Sequence, residues 1–344
     1  MRILVIDIAA SKTGALSVLR DFYGYVRGHA GEDEWIFAVG SKDVLEEPAE
    51  DNIRIVVRDD VKASSLARLR FEFFTGAGFI RSIAPDVVIS LENTMPVRIE
   101  GGIRRILYIH QPLGFQKLKR FSLFRKEERA LALYQRFYHK LIMASAKRSD
   151  ILIVQTEWMK KALIRDLKGT VKRIEKIGPD IPDLSGYVRE DQGVSDRFFY
   201  PASDITYKNH RVIDEAAELL KKEGISCDIL YTKDRVLKRE EVFEEYNRST
   251  LIFPSYIETF GMPLAEARQF GTVILAADTE FAKEVLYGYD RAYYFDAFDA
   301  KALADLMKKV IQGELKRGSG EVPEEREDSY GRILEMIRNA EGQA

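Results

Sequence analysis

Two carboxylates eight residues apart, Glu258 and Glu266, bracket a turn that follows the apolar run Leu251-Ile-Phe253. Pro263 stands where the first turn of a helix would begin, a position at which its missing N–H is no loss. The amides left free at a helix start carry partial positive charge and suit a diphosphate. Gly261 lets backbone approach such a group closely, and a carboxylate accepts two hydrogen bonds from a ribose diol. Strand, turn, helix start and paired carboxylates together predict a nucleotide-binding corner, and a sugar nucleotide offers a partner to each of these groups. The plainer alternative is a capped helix carrying two solvated carboxylates.

Other residues have chemistry within reach of that corner. The run from Phe199 to His210 leads from a strand through a polar turn into a helix, and Lys208 near its end is placed to neutralise a phosphate, with Ser203 and Asn209 as further polar contacts. His110 follows the apolar run Ile106-Leu-Tyr-Ile109 and should therefore stand at the carboxyl end of a strand, where parallel sheets place their ligands. The other three histidines, His29, His139 and His210, lack that context. Thr232, with Lys233, opens the loop after Ile229-Leu-Tyr231 and is a candidate for contact with a nucleobase. Asp296 and Asp299 are close enough to suggest a metal pair, but their place before a helix reads better as capping. No cluster has convincing metal-ligand spacing, so no metal site is expected. The loop Ala9-Ala-Ser-Lys-Thr-Gly-Ala-Leu-Ser17 contains no G-x-G-x-x-G, which disfavours a dinucleotide oxidoreductase.

The sequence Glu258-Thr-Phe-Gly-Met-Pro-Leu-Ala-Glu266, then Ala267 and Gly271-Thr272, resembles the Glu-x7-Glu signature of the family-four retaining glycosyltransferases. The resemblance implies the GT-B fold: α/β, two Rossmann-like domains with parallel sheets facing a central cleft. It implies a nucleoside diphosphate sugar as donor, no further cofactor, and a mechanism without bound metal in which front-face substitution retains the anomeric configuration. Carried over, Glu258 holds the donor sugar and Glu266 the ribose. Lys208 and the amides of Gly261 and Met262 hold the diphosphate, and His110 meets the sugar from the opposite domain. Gly14 and Thr13 match the loop that approaches phosphate and acceptor, although Thr13 replaces a usual second glycine. Ala202 stands roughly where the family has an arginine, so the diphosphate would depend more on Lys208. The implied activity is transfer of a sugar, of the hexosyltransferase kind, to an acceptor hydroxyl in cell-surface polysaccharide biosynthesis, with a saccharide, lipid-linked or free, as acceptor. A GT-B sugar-nucleotide epimerase and a non-catalytic sugar-nucleotide-binding subunit are the alternatives.

These residues have to be positioned by a chain of 344 residues with 46% hydrophobic content, enough for about two domains and two cores. No apolar run approaches the ~20 residues of a membrane span, the N-terminus enters a short strand without signal-peptide organisation, and the single Cys227 excludes an internal disulfide. A cytoplasmic protein, peripheral on the inner face of the membrane at most, is expected. The net charge of −2 hides an asymmetry. Residues 104–173 carry 18 Lys plus Arg against 5 Asp plus Glu, leaving 35 against 50 elsewhere, which predicts one basic and one acidic domain. Lys117, Lys119, Arg120, Phe121 and Phe124 form the best candidate for an anionic membrane or acceptor surface; the apolar positions that continue to Leu141 can equally pack in a core. Nucleic acid is not an expected partner.

Alternating strand and helix patterns predict parallel sheets covered on both faces. Candidate strands in the first half are 2–8, 35–39, 53–57, 87–90, 106–109, 151–154 and 173–177, with helices near 14–29, 64–82, 125–148 and 157–166. After the Pro- and Gly-rich stretch Gly178–Gly186 come strands at 197–200, 227–231, 251–253, 273–275 and 292–295, with helices near 208–223, 238–247, 262–270, 279–287 and 299–313. The expected organisation is an acceptor-side domain over 1–178, a linker over 179–186, a nucleotide-sugar domain over 187–325, and a final helix over 326–344 that returns to the first domain.

Overall fold

The computed structural model describes residues 1–344 except 11–12, 49, 171, 190–196, 321–327 and 340–344, and the backbone but not the side chain of Thr13. The chain forms two compact units. One comprises Met1–Phe115, Leu133–Gly178 and Asp328–Ala344, and the other Gln116–Ala132 and Pro179–Glu327.

In the first unit the strands are β1 (Arg2–Asp7), β2 (Glu34–Val39), β3 (Ile53–Val57), β4 (Val87–Ser90), β5 (Arg104–Ile109), β6 (Ile151–Val154) and β7 (Arg173–Lys176). They lie in the order β3-β2-β1-β4-β5-β6-β7 with every pairing parallel. Successive side chains of a strand point to opposite faces, and both faces here are covered. Ile3, Val5, Trp35, Phe37 and Tyr108 enter one core with Leu19, Phe22 and Val26 of the helix Thr13–His29. Leu4, Ile6, Ile36, Leu107 and Ile109 enter a second core with Ile80, Ile142 and Leu163 from helices on the other side. This two-sided burial is why the strands read as unbroken apolar runs.

The last helix, Ser329–Arg338, belongs to the first of these cores through Ile333, Leu334, Met336 and Ile337. Asp328 caps it by accepting from Gly331 N at 2.8 Å, and Arg338 ties its end to Asp33 at 2.8 Å. The helices expected over 64–82 and 125–148 are interrupted by π-helical turns at Phe71–Thr75 and Tyr134–Tyr138, each admitting a residue that an α-helical pattern does not accommodate.

The second unit contains β8 (Arg197–Tyr200), β9 (Asp228–Tyr231), β10 (Thr250–Phe253), β11 (Ile274–Ala277) and β12 (Ala292–Phe295), ordered β12-β11-β10-β8-β9 and again parallel. Gly271, at φ +63°, ends the helical stretch that opens at Met262, and a Cβ there would sit 1.9 Å from the carbonyl oxygen of Gly318. Arg317 donates to the carbonyls of Ser249, Tyr246 and Phe270 and to the Thr272 hydroxyl. The Gly271-Thr272 pair thus has a packing reason: it admits this strap of backbone.

One expectation is corrected here. Gln116–Ala132, assigned from sequence to the first domain, groups with the second unit, held there in part by Lys119, whose ammonium lies 6.0 Å from the Tyr256 ring centroid. Six of the 18 cations counted above, Lys117, Lys119, Arg120, Arg125, Lys126 and Arg129, therefore stand in the second unit. The asymmetry shrinks but keeps its sign: the first unit carries 27 Lys plus Arg against 23 Asp plus Glu, and the second 26 against 32.

Both tryptophans, Trp35 and Trp158, lie in the first unit, so tryptophan fluorescence reports its unfolding separately. Ile337 is 0% exposed, and truncating a buried isoleucine costs about 2–5 kcal/mol. Ile337→Ala is expected to lower the urea midpoint of the fluorescence transition by a corresponding amount. An unchanged midpoint would show that the last helix contributes nothing to this core.

Candidate active site

The strand order of the second unit creates a crevice. β8 and β10 are hydrogen-bonded neighbours, yet the chain leaves β8 toward β9 on one side and leaves β10 toward β11 on the other. Connections that diverge in this way open a gap at the carboxyl ends of the two strands, where doubly wound sheets bind their ligands.

Two loops meet at this point. The loop after β8 ends in Lys208 and in Asn209 at φ +62°, whose amide donates to Ala297 O at 2.6 Å and Pro254 O at 3.4 Å. The buried Tyr200 hydroxyl donates to Lys208 O at 2.7 Å, fixing the backbone from which the ammonium projects. The loop after β10 is tied to this turn, with Tyr256 N donating to Tyr207 O at 3.2 Å. Fully buried Ser255 donates to Glu258 Oε1 at 2.8 Å. Lys208 Nζ pairs with the same carboxylate, and neither side chain is more than 19% exposed. Lys208 and Glu258, fifty residues apart in sequence, are therefore direct partners.

Beyond Glu258 the chain turns through Gly261 at φ +95° into the helix Met262–Ala267, with Pro263 in its first turn. A side chain at Gly261 would be strained by that φ and would press on Leu264 at 3.3 Å. Glu266, one turn on, is 2% exposed. Arg239, the first residue of the helix Arg239–Arg248, grips it with both terminal nitrogens, and the Tyr246 hydroxyl donates to Oε2 at 3.0 Å. Arg239 and Tyr246 were not singled out from sequence. Arg239 is one of four consecutive charged residues, Lys238 to Glu241, that read as a solvated helix start.

The remaining candidates of this unit divide clearly. Ser203 is exposed at the turn after β8, and Ala202 is buried. Thr232 donates to Ala202 O at 3.3 Å, joining the loops after β8 and β9. Asn209, a candidate ligand contact, spends its amide on backbone carbonyls. Asp299 caps the helix Ala300–Ile311, and Asp296 accepts from Phe298 N at 2.8 Å. Among the described residues no group of three or more His, Cys, Asp or Glu could hold a metal.

In the first unit His110 follows β5. Its N–H donates to Asn93 Oδ1 at 2.7 Å and its ring stacks on Tyr108 with centroids 5.5 Å apart. Burial pushes its pKa down to about 4, against a hydrogen bond to the Leu91 backbone that acts in the opposite sense. The imidazole is thus neutral at physiological pH. Gly14 lies in the first turn of the helix Thr13–His29 with open space where a Cβ would be; the Thr13 side chain is outside the described part. Sequence reading passed over a polar cluster at the β1/β4 switch point. Glu92 accepts from Ala9 N at 2.5 Å and pairs with Arg68 at 3.2 Å, and Glu72 accepts from Thr94 at 2.6 Å.

The expected surface set needs correction. Phe121 is 1% exposed and cannot serve as a surface aromatic. Lys119 lies over its ring at 5.4 Å and pairs with Glu128 at 3.2 Å, because this segment folds into the second unit. Lys117 and Arg120 are exposed, as is Phe124 at 94%. Among the described residues no helix is long and apolar enough to cross a membrane.

His110 generates a direct prediction. With a folded pKa depressed from 6.5 to about 4, the unfolded state binds the extra proton between those values. Its contribution to stability is complete above 6.5 and is lost as pH falls toward 4. NMR titration of the imidazole is expected to give a midpoint near 4; a midpoint above 6 would contradict the burial argument.

Residues 214–324 match the profile of the family described as glycosyl transferases group 1, a stretch that contains Thr232, Arg239, Glu258 and Glu266. No curated protein matches the chain by sequence. Several solved structures are similar to it. Sucrose-phosphate synthase from Thermosynechococcus elongatus superposes with a TM-score of 0.63 at 12% identity over 90% of each chain. WaaG, a glycosyltransferase involved in lipopolysaccharide biosynthesis, does so with a TM-score of 0.60 at 13% identity over 92% of each chain. HepE from Anabaena, in complex with UDP-glucose, gives a TM-score of 0.57 at 13% identity over 91% of this chain and 90% of its own. Two parallel-stranded α/β units of this kind are the GT-B architecture, and the match of residues 214–324 to the group 1 glycosyl transferases, together with this fold, supports a glycosyltransferase.

Proposed function

We propose that the protein moves a sugar from a nucleoside diphosphate sugar to an acceptor hydroxyl with retention at the anomeric carbon, in the assembly of a cell-surface polysaccharide. The observation that carries this reading is the pairing of Lys208 with Glu258 at the β8/β10 switch point, with Glu266 one helical turn beyond the glycine corner. Two carboxylates and a lysine in that arrangement supply acceptors for sugar and ribose hydroxyls and a cation for phosphate. The match of residues 214–324 and the UDP-glucose complex of the similar HepE support a nucleotide sugar as donor.

In this reading Glu258 accepts hydrogen bonds from donor sugar hydroxyls and Glu266 from the ribose diol. Lys208 and the backbone amides of Gly261 and Met262 stabilise charge that develops on the departing diphosphate, with Ser203, Asn209 and Thr232 lining the approach; Asn209 acts by holding the Lys208 turn. Such stabilisation is commonly the largest catalytic contribution, and here it comes from the protein without a bound metal. The bond from the anomeric carbon to the phosphate oxygen breaks as the acceptor oxygen forms its bond on the same face, and the acceptor proton passes to the departing phosphate. His110, neutral at working pH, serves as a hydrogen-bonding contact to the transferred sugar, and Thr13 and Gly14, at the start of the helix Thr13–His29, serve the acceptor. The acceptor we propose is a lipid-linked saccharide met at the inner face of the membrane, supported by the exposed Lys117, Arg120 and Phe124.

Each lost charge-assisted hydrogen bond corresponds to about 1.5–3 kcal/mol, a ten- to hundredfold effect. Glu266→Ala is expected to weaken donor binding by that factor and Glu258→Ala to lower turnover chiefly. Lys208→Ala should be far more damaging than Arg211→Ala, whose side chain is 83% exposed. Transfer assayed over a panel of nucleoside diphosphate sugars should survive EDTA. Wild-type rates in both glutamate variants, or loss on chelation reversed by magnesium, would overturn the assignment.

The membrane part has its own test. Each Lys or Arg near an anionic bilayer adds about 1 kcal/mol, so replacing Lys117 and Arg120 by Ser and Phe124 by Ala should abolish cosedimentation with phosphatidylserine vesicles at low salt. Donor affinity should be unaffected. Equal pelleting of both proteins with neutral and anionic vesicles would remove the membrane from the proposal.

A further inference from the structure

Glu266 is engaged by protein groups on both oxygens. Arg239 directs Nη1 to Oε2 at 3.3 Å and Nη2 to Oε1, and Tyr246 donates to Oε2 at 3.0 Å. A carboxylate offers about four lone-pair sites. With three of them taken, a ribose diol bringing two donors cannot chelate Glu266 unless a present partner leaves. Tyr246 is not that partner: it is 1% exposed, its ring packed against Phe199 and Phe270. Arg239 is 52% exposed, and its guanidinium lies 4.9 Å from the Phe243 ring. It can swing away without opening the core.

We propose that Arg239 is a specificity-determining residue of the donor site. Its pairing with Glu266 is exchanged for the ribose diol when donor binds, and the guanidinium is then taken up by the diphosphate of the same ligand. The inference rests on the reading of Glu266 as the ribose carboxylate. Hydroxyls bonded to a carboxylate bring no opposite charge, whereas the guanidinium fork brings a full one in bidentate geometry, so replacing the fork by two hydroxyls is unfavourable on its own. A nucleoside offers the displaced cation only water. A diphosphate lies one ribose ring from the diol that displaces Arg239, and its oxygens suit the guanidinium fork. The exchange therefore couples ribose recognition to phosphate and rejects nucleosides.

The test compares dissociation constants of UDP, GDP and ADP with those of uridine, guanosine and adenosine by calorimetry. For the base that binds, Arg239→Gln is expected to tighten nucleoside binding about tenfold and to tighten diphosphate binding not at all, so that discrimination falls at least tenfold. Nucleoside affinity that is unchanged or weaker in Arg239→Gln overturns the exchange. Should Glu266 without its guanidinium prevent folding, Arg239→Lys keeps the charge but not the fork. It is expected to discriminate less than wild type, and wild-type discrimination there also overturns the proposal. Glu266→Gln separates the two layers. Undiminished diphosphate affinity in that variant removes the ribose assignment itself, whereas weakened affinity together with wild-type discrimination in Arg239→Gln removes only the exchange.

Discussion

An ionised carboxylate withdrawn from water must find a cation or several hydrogen-bond donors, because the uncompensated charge costs several kcal/mol. The second unit withdraws two of them, Glu258 and Glu266, within a single strand–turn–helix corner. Each is matched by a cation from a different loop: Lys208 follows β8, and Arg239 follows the loop after β9. Neither cation is near its partner in sequence, so the pairing depends on the sheet order β12-β11-β10-β8-β9, which puts β8 beside β10 and β9 next in line.

The same hydrogen bonds that satisfy these charges also hold them still. Ser255 and Lys208 share one oxygen of Glu258, Tyr200 fixes the carbonyl of Lys208, and Asn209 spans to Pro254 and Ala297. A turn secured from both sides keeps its polar groups oriented before any ligand arrives, which is the condition under which fixed dipoles and charges stabilise a developing charge most effectively. The helix that follows takes its direction from the left-handed backbone of Gly261, and Tyr246, on the helix Arg239–Arg248, anchors Oε2 of Glu266 to the core.

What sequence made legible was whatever local rules determine. Apolar runs such as Ile3-Leu-Val-Ile6 are strands because parallel sheets bury both faces, and Pro263 marks a helix start because its ring prohibits most other helical positions. Glu258, Glu266 and Lys208 stood out by spacing against such landmarks. Partnerships were illegible because they are non-local. Nothing in Lys238-Arg-Glu-Glu241 distinguishes the residue that closes on Glu266 from its solvated neighbours. Phe121 and Phe124 carry the same side chain three residues apart, and only the fold buries the first and exposes the second. An asparagine amide such as that of Asn209 serves backbone or ligand equally well, and Gly271-Thr272 reads as part of a signature although its geometry answers to the backbone of Gly318.

The first unit meets the same electrostatic constraint differently. Around its β1/β4 switch point Glu92 pairs with Arg68, whose charge also acts on Asp7 and Glu72. Burial raises the Glu72 pKa to about 7, and burial with the Glu92 charge raises that of Asp7. Where burial outweighs the nearby positive charge, a carboxyl keeps its proton. A folded pKa above the unfolded value gives stability that is complete below 4.5 and falls as pH rises through 7, and Asp7 acts in the same direction. His110 acts oppositely, adding stability as pH rises from about 4 to 6.5. Over their common range the acid and imidazole slopes oppose each other within one core. The unit can thus keep a neutral His110 without becoming acid-labile through that histidine alone, and above pH 6.5, where its contribution is complete, Asp7 and Glu72 are the members of this set that still act on the slope.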